Sequence, residues 1–309
     1  MRIISLLPAG TEILCSMELG RHLVGISHEC DYPSSIRNLP RVSSSTLPAN
    51  LHPAEIDSAV SLSKQKNTVL YNIDTDLLVR LHPDWIITQD ICMVCAVNSD
   101  STKDALSFFQ LEDIVDAKIF PMRGKDINGI ISDIQQLGCL LDSESASKSL
   151  CEELISLKQE ENRISIKPRV LMLEWTDPPW YAGHWVPEQV IAAGGVCLFG
   201  LAGKESRPIS WNQIKDSNPD IIIGCACGFD TQQNYNQLSE LVDLGHLNGL
   251  TALKQNKIWA VDANSYFSRP SPRLSKGSKI LEQIFTGSTD RLNHSDALHL
   301  DLSTYQRKV

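Results

Sequence analysis

The feature that most restricts the fold is a pattern that occurs twice: a helical stretch, then Pro-Asp, then a short apolar strand. It stands at residues 76–89 and again at residues 213–224, so that Pro83 corresponds to Pro219. Each copy is preceded by a strand run and a helix that ends at glycine, a common helix stop. Any two α/β halves look somewhat alike, but the recurrence favours two similar lobes.

Short apolar runs rich in β-branched residues alternate with helical stretches along the chain. Such runs are typical of buried parallel strands that are joined by crossover helices. The sequence therefore predicts an α/β fold with parallel sheets. The predicted strands are residues 2–8, 23–27, 85–89, 118–122, 169–175, 220–225 and 258–262.

A single amphipathic helix is predicted between the lobes. Residues 143–163 contain neither glycine nor proline, and Leu150, Leu154 and Leu157 recur at helical spacing. This helix would extend roughly 30 Å and restrict the relative motion of the lobes. The predicted organisation is an N-terminal lobe at 1–141, the connecting helix at 142–166, a C-terminal lobe at 167–286, and a loosely ordered tail without chemistry at 287–309.

Composition narrows the class of function and the location. The chain has 309 residues and a net charge of −9, which argues against a duplex nucleic-acid binder. No run approaches the roughly 20 apolar residues that span a bilayer, so a membrane-embedded chain is not expected. Pro8, Gly10 and Glu12 interrupt the N-terminal apolar run, and nine scattered cysteines favour a reducing compartment. We therefore expect a cytoplasmic protein, or a periplasmic or secreted one if an export signal has been removed.

Cysteine and histidine residues follow several of the predicted strands. Ligands of open parallel sheets bind beyond the carboxyl ends of the strands, where the loops of two facing lobes would meet. Thiolate and imidazole suit a soft metal such as zinc or copper, so a metal site, with bound zinc or iron, is one interpretation. Packing of small buried side chains and soft contact with a bound cofactor are the alternatives. The candidate metal ligands are His28, Cys30, Cys92, Cys95, Cys225 and Cys227.

No established catalytic motif is present. The sequence lacks the zinc deaminase signature, the phosphate-binding glycine loop, and the Gly-x-Ser-x-Gly and His-Glu-x-x-His motifs. It therefore offers no candidate catalytic residue and favours a binding protein over an enzyme.

Segment 174–185 concentrates aromatic residues after the first strand of the second half. Its prolines and glycine predict a loop, in which three tryptophans could form a flat surface for stacking on a large planar ligand. A hydrophobic plug that closes the lobe is the alternative. The histidine of this segment could contact a metal centre in the ligand or serve as a hydrogen-bonding wall residue. The candidate binding residues here are Trp175, Trp180, Tyr181, His184 and Trp185.

A second aromatic segment stands at residues 266–273. Two prolines fix its backbone, and its two arginines could meet carboxylate, amide or phosphate groups of a ligand. A rigid connection whose second arginine pairs with a carboxylate is the alternative. Together with aromatic residues in two strand-end loops, the remaining candidate binding residues are Tyr32, Phe229, Tyr266, Phe267, Arg269 and Arg273.

Seven blocks of the sequence together carry a family resemblance. They are residues 5–12, 27–33, 88–96, 174–175, 182–188, 227–229 and 266–273. Through these blocks the chain resembles the cobalamin-binding proteins related to the substrate-binding components of ABC importers for cobalamin and iron complexes. The resemblance covers nearly all of the chain before the tail and implies two Rossmann-like lobes joined by one long helix, with aromatic side chains that hold a ligand between the lobes. Ser271 and Ala226 stand where similar sequences usually carry Gly and Pro.

The favoured hypothesis is a protein that binds cobalamin or a related corrinoid or metal complex in the cleft between its lobes and delivers it to an ABC importer. Carboxylates such as Glu12 and Glu188 could meet basic residues of the permease, although simple solvation is the favoured interpretation of surface acids. The alternative function is a cytosolic metal-binding or redox enzyme that uses the Cys/His cluster.

Overall fold

The computed structural model describes residues 1–48, 51–66, 70–89, 116–159 and 166–302. The chain forms two compact units. The first consists of Met1–Gly124 and Asn128–Glu152, and the second of Lys125–Ile127 and the chain from Glu153 onward. Both units combine helices with sheets, so the predicted α/β class is confirmed. Within the described ranges, no helix has the length and apolar character needed to cross a lipid bilayer.

A parallel sheet forms the centre of the first unit. The strands of this unit are β1 (Ile3–Ser5), β2 (Leu23–Ile26), β3 (Ser43–Ser45), β4 (Tyr71–Ile73), β5 (Trp85–Gln89) and β6 (Lys118–Met122). The sheet order is β2-β1-β5-β6, while β3 and β4 form a separate antiparallel pair. Ile3 is in register with both Leu23 and Trp85. The four strands that the sequence predicts here are therefore the strands of the parallel sheet.

The first unit contains four α-helices among its described residues. They are α1 (Pro8–Ser16), α2 (Pro53–Lys66), α3 (Thr75–Leu81) and α4 (Ile127–Leu140), of which α1 contacts β1 and α3 contacts β2. Proline at the start of α1 suits the first turn, where its missing N–H costs nothing. The Asp74 carboxylate accepts the Leu77 N–H at 2.8 Å and so begins α3. Local residue choice therefore explains where these two helices start.

The helix predicted between the lobes is α5 (Glu144–Gln159). Leu154 and Leu157 on its apolar face are buried, as their spacing predicts. The division between the two compact units falls within α5, directly after Glu152. The chain is thus helical where the division falls, while residues 160–165 of the predicted connection lie outside the described residues.

A mixed sheet forms the centre of the second unit. Its strands are β7 (Arg169–Thr176), β8 (Pro179–Tyr181), β9 (Val196–Cys197), β10 (Arg207–Pro208), β11 (Ile221–Gly224), β12 (Ile258–Val261) and β13 (Ala297–His299). The order is β10-β8-β7-β11-β12-β13, with β9 also beside β7. The parallel strands β7, β11 and β12 match the three strands that the sequence predicts here. Strands β8, β10 and β13 are antiparallel to their neighbours and were not predicted.

The second unit encloses an apolar core between its sheet and helix α8. Its helices are α6 (Val186–Ala192), α7 (Trp211–Ser217), α8 (Thr231–Asp243), α9 (Thr251–Lys254), α10 (Ala263–Tyr266) and α11 (Leu274–Thr286). Leu173 and Ile222 of the sheet pack in one cluster with Leu238 and Leu241 of α8. Reciprocal side-chain to backbone capping begins both α7 and α8. This core holds β7 and β11 together beneath their carboxyl ends.

The repeated Pro-Asp sequence forms the same structure in each unit. In the first unit, α3 ends at His82 in the left-handed conformation (φ 41°), and proline then prevents further helix. The Asp84 carboxylate accepts the backbone N–H of Arg2 at 2.6 Å. The Asp84 N–H donates to the Arg2 carbonyl at 2.8 Å. We call this pair of bonds the Pro-Asp clamp; it ties the start of β5 to the start of β1.

The second unit repeats the clamp with equivalent residues. Asn218 ends α7 with φ 43°. The Asp220 carboxylate accepts the Arg169 N–H at 2.8 Å, and the Asp220 N–H donates to the Arg169 carbonyl at 2.9 Å. The clamp ties the start of β11 to the start of β7. The recurrence seen in the sequence is therefore a recurrence of backbone hydrogen bonding.

Replacing Asp220 by alanine should destabilise the second unit. The Arg169 N–H would lose its carboxylate acceptor, so we expect the free energy of unfolding to fall by about 1 kcal/mol. Asp216→Ala, at an exposed position of α7, is the matched control and should change it by less than about 0.5 kcal/mol. Urea unfolding measures both values, and equal losses in the two variants would contradict the role of the clamp.

The expectation of a loosely ordered tail is wrong for residues 287–302. Strand β13 pairs with β12, and Asp296, only 7% exposed, accepts bonds from Tyr266 Oη (2.9 Å) and Lys276 Nζ (2.9 Å). Burial lowers the pKa of Lys276, but its bonds to Tyr266 and Asp296 outweigh burial and raise that pKa. The tail sequence has little periodicity because the residues that hold it, Tyr266 and Lys276 among them, lie elsewhere in the chain.

Removing the Asp296 carboxylate should loosen this segment. Asp296→Ala deprives the Tyr266 hydroxyl and the Lys276 ammonium of a buried acceptor, so we expect a loss of about 2 kcal/mol in the free energy of unfolding. The control is Asp290→Ala, an exposed carboxylate of the same segment. If both variants unfold at the same urea concentration, the Asp296 carboxylate does not stabilise this segment.

Candidate ligand-binding site

The end of β7 and the segments that follow β11 and β12 meet at the carboxyl edge of the second unit's sheet. The Asn264 N–H donates to the Phe229 carbonyl at 3.0 Å, and the Cys227 N–H donates to the Glu174 carbonyl at 3.3 Å. Three segments far apart in the sequence are therefore joined by backbone hydrogen bonds. This edge is where open α/β sheets bind ligands.

A β-bulge at Glu174 sets the direction of the neighbouring tryptophan. Tyr181 is in register with Leu173, and Trp180 is in register with Trp175. Between these two pairs, β7 therefore has one extra residue, Glu174, that has no counterpart on β8. Bulges re-aim side chains and are common beside binding sites. The bulge places Trp175 and Trp180 directly opposite each other, where cross-strand side chains are in contact distance.

Trp175, Trp180 and Phe229 form a group that we call the aromatic cluster. The rings of Trp175 and Phe229 are 5.5 Å apart at an angle of 55°. All three side chains are partly exposed. A half-covered group of rings at the carboxyl edge can stack on a planar, largely apolar ligand.

Tyr181 lies on the opposite face of the hairpin from Trp180, because side chains alternate along a strand. It stands beside Arg207 of β10, and its ring centre is 5.8 Å from that of Phe199. The expectation that residues 174–185 form a loop with one aromatic surface is therefore wrong. Antiparallel pairing turns the segment into a hairpin, and the pleat divides its aromatic rings between two faces.

Trp185 and Phe267 are buried and brace the site from within. They are 5% and 2% exposed, and the Trp185 indole N–H donates to the Phe267 carbonyl at 2.7 Å. The Gln189 amide donates to the carbonyls of Tyr266 and Leu274, each at 2.9 Å. These bonds fix the segment after β12 against α6. Two predicted binding residues thus have the environment expected of a hydrophobic plug.

The arginines of the second aromatic segment are held by protein groups. Arg269, which is 6% exposed, donates to Asn264 Oδ1 at 2.9 Å. The Arg273 guanidinium lies over the Tyr266 ring at 5.0 Å. Burial raises the pKa of Asp262, and the charge of Arg273 opposes that rise. The rigid-connection interpretation of this segment therefore has direct structural support.

His184 occupies a strained position in a half-buried setting. Its φ of 53° is unusual for a residue other than glycine. Among the described residues, neither its Nδ1 nor the indole N–H of Trp180 has a hydrogen-bond partner, although both atoms are buried. Burial lowers the pKa of His184, while Glu205 raises it and Lys125 lowers it further. The imidazole is therefore neutral at neutral pH.

Two thiols of the second unit, those of Cys225 and Cys197, hold their protons. Burial, followed by the charges of Glu174, Cys197 and Cys227, raises the pKa of Cys225 well above that of a free thiol. Burial raises the pKa of Cys197 to about 11. Cys227 is exposed. Because the thiolate is the nucleophile, the Cys225 and Cys197 thiols are poorly reactive at neutral pH.

The candidate residues of the first unit have local partners. The His28 ring contacts Ser43 Oγ through Nδ1 at 2.8 Å, and the buried Cys30 sulfur lies 3.1 Å from Thr11 Oγ1. Tyr32 is 48% exposed. Of these residues, Tyr32 therefore presents the most surface to a ligand.

The predicted metal site receives no support from the part of the chain that the structure describes. There, no three His, Cys, Asp or Glu side chains are grouped so that they could hold a metal ion. Cys92 and Cys95 lie outside the described residues.

The two carboxylates proposed to meet a permease have internal roles. Glu12 is 2% exposed within α1. The Glu188 carboxylate accepts the Ile127 N–H at 2.7 Å. Buried or internally bonded carboxylates are poor docking groups, since any partner must first displace the existing contacts.

Sequence reasoning missed several residues that build this edge. Glu174 creates the bulge and accepts a hydrogen bond from Ser206 at 2.6 Å, and Asn264 links two loops. Glu174 stands in one of the blocks that carry the family resemblance, but no sequence signal indicates its bulge, and none distinguishes Asn264 from an ordinary surface residue. Only the pairing of strands reveals what they do.

A profile of the periplasmic binding protein family matches residues 3–264. The vitamin B12-binding protein of Vibrio parahaemolyticus is 23% identical over 277 residues, which are 88% of this chain and 84% of that protein. The crystal structure of the periplasmic vitamin B12-binding protein of Vibrio cholerae has a TM-score of 0.62 and 20% identity, with 94% and 98% of the two chains covered. A periplasmic heme-binding protein of a Roseiflexus species has a TM-score of 0.66 and 19% identity, with 94% and 99% covered.

These comparisons correct the expectation of a cytoplasmic location. The matching family and both structural relatives are periplasmic proteins. The expectation was based on free cysteines and on the N-terminal sequence. However, burial is sufficient to explain why several thiols are unreactive.

Acidification should reveal the buried state of His184. Because its folded pKa lies below the ordinary value, the unfolded chain binds the proton first as the pH falls, and stability is lost below about pH 6.5. His184→Asn removes this proton uptake and keeps a residue type that tolerates positive φ. Between about pH 7.5 and about pH 5.5, wild type should lose more unfolding free energy than the variant. His294→Asn, at an exposed histidine, should behave like wild type, and equal losses in all three proteins would contradict this prediction.

Proposed function

Because the chain belongs to the periplasmic binding protein family, we propose that it binds cobalamin or a related corrinoid in the periplasm and delivers it to an ABC importer. The aromatic cluster would stack on the ligand. Binding and release of such a ligand need no covalent step, which agrees with the lack of a catalytic motif in the sequence.

The aromatic cluster is the observation that carries this proposal. Its rings are partly exposed at the carboxyl edge of the sheet, and the bulge at Glu174 places Trp175 opposite Trp180. A corrinoid presents a broad, mostly apolar ring system, for which aromatic side chains supply large contact areas at little entropic cost. The buried Trp185 and its bond to Phe267 keep the supporting segment rigid, which reduces the cost of binding.

The names of relatives agree with this class of ligand. Two curated relatives, from Vibrio parahaemolyticus and Vibrio campbellii, are vitamin B12-binding proteins. Heme-binding proteins occur among the structural neighbours. Cobalamin and heme are both planar metal macrocycles. The proposed ligand class is therefore supported by the names of the relatives and by the fit of a planar ring to the aromatic cluster. Delivery to an importer rests on family membership alone.

Calorimetric titration with cobalamin tests the proposal. We expect wild type to bind with micromolar or tighter affinity and Trp175→Leu to bind about tenfold more weakly, because the variant loses a stacking surface. Trp259→Leu is the matched control, since Trp259 is also partly buried and lies 4.6 Å from an aromatic ring, that of His299 on β13. This control should keep its affinity within about twofold.

A parallel titration with hemin separates the two macrocycles. Binding of hemin without binding of cobalamin would contradict a corrinoid ligand and favour a porphyrin. Binding of neither at micromolar protein would overturn the proposal. If Trp175→Leu and Trp259→Leu weakened binding equally, the aromatic cluster would not be the binding surface.

A further inference from the structure

The second unit has a small pocket beside the hairpin of β7 and β8. Its volume is about 180 Å³. Pockets that bury a whole small molecule usually measure roughly 300–1,000 Å³. This pocket can therefore accept a substituent of a macrocycle but not the ring itself. It is lined by Tyr181, Phe199, Leu201, Lys204, Glu205 and Arg207.

One wall of the pocket is fixed by hydrogen bonds at its base. The His184 N–H donates to the Lys204 carbonyl, and the His184 carbonyl accepts the Gly203 N–H at 2.9 Å. The Gly183 N–H donates to Ser206 Oγ at 3.0 Å. A Cβ atom on Gly183 would lie 2.3 Å from the Lys204 carbonyl oxygen, so only glycine permits this approach. The wall is thus formed before any ligand arrives.

The charges of the pocket favour an anion. Lys204 and Arg207 are exposed there with a single carboxylate, Glu205, which leaves a local charge of +1. The whole chain has a net charge of −9. Within the described ranges, neither Lys204 nor Arg207 takes part in an ion pair. Both cations are therefore available to an incoming anionic group.

The apolar side of the pocket lies directly beside these cations. Arg207 is in register with Tyr181 across β10 and β8, and the rings of Tyr181 and Phe199 are 5.8 Å apart. An anionic group that is attached to an apolar body would contact rings and cations together. Arginine and lysine suit phosphate and carboxylate oxygens in this setting.

We propose that this pocket is a subsite for an anionic substituent of the bound macrocycle, a phosphodiester or a carboxylate. The inference rests on the proposed binding of a macrocycle and adds a chemical requirement to it. Trp180 of the aromatic cluster directly precedes Tyr181, and the edge strand β10 is only two residues long. A flexible substituent can therefore turn around this edge while the ring stays against the cluster.

The test compares ligands that differ in the anionic group. Cobalamin carries a phosphodiester in its nucleotide loop, cobinamide is the corrinoid without that loop, and hemin carries two carboxylates. We expect the double variant Lys204→Gln/Arg207→Gln to bind cobalamin at least about fivefold more weakly than wild type. Its affinity for cobinamide should stay within about twofold. If the occupant is a carboxylate, the loss appears with hemin instead.

Two further variants distinguish local from overall charge. Lys215→Gln/Lys254→Gln removes the same charge from exposed positions of α7 and α9 and should leave all affinities unchanged. Glu205→Gln removes the carboxylate from the pocket and should strengthen binding of the anionic ligand about twofold. Added salt should weaken cobalamin binding in wild type more than in the pocket double variant.

The outcomes separate this inference from the proposed function. If wild type binds cobalamin and the pocket variants match the Lys215→Gln/Lys254→Gln control for every ligand, the subsite is wrong and the proposed function stands. Equal losses for cobalamin and cobinamide would also overturn the subsite, since the anionic group would then play no part. If wild type binds no macrocycle, both conclusions fail.

Discussion

The Pro-Asp clamp sets the register on which the candidate site depends. In the second unit, the paired bonds between Asp220 and Arg169 align the starts of β11 and β7. Strands aligned at their starts deliver their carboxyl ends to a common edge. The Cys227 N–H consequently reaches the Glu174 carbonyl, and the aromatic cluster forms there. A slip of one residue would turn every side chain of a strand to the other face and would separate these groups.

Burial decides which chemistry-bearing residues can act at that edge. Cys225 is buried and keeps its proton, and the Trp185 indole N–H donates to the Phe267 carbonyl. Trp175 and Phe229 were, like Trp185, candidate binding residues in the sequence, but they remain partly exposed. Residue type therefore identifies the candidate binding residues. The burial of each side chain then separates those that support the site from those that can contact a ligand.

Much of the framework could be predicted from the sequence because its causes are local. The seven predicted strands all form, since runs of strand length that are rich in β-branched residues and bounded by turn residues favour strands over helices. Helix α5 forms because its apolar residues recur at helical spacing, with Leu154 and Leu157 on its buried face. The antiparallel strands β8, β10 and β13 escaped prediction because they are only two or three residues long. Such strands form through pairing with a neighbour and not through their own preference.

The α/β class, the repeated Pro-Asp unit and the helix at Glu144–Gln159 are predictable from the sequence alone, because each is recorded in periodicity or in contiguous residues. Strand pairing and burial were needed to establish that the bulge at Glu174 sets Trp175 against Trp180, that Tyr181 turns to the other face, and that Asp296 anchors the tail. These outcomes depend on strand register and on burial. Both are properties of contacts between residues distant in the chain, and no local pattern encodes such contacts.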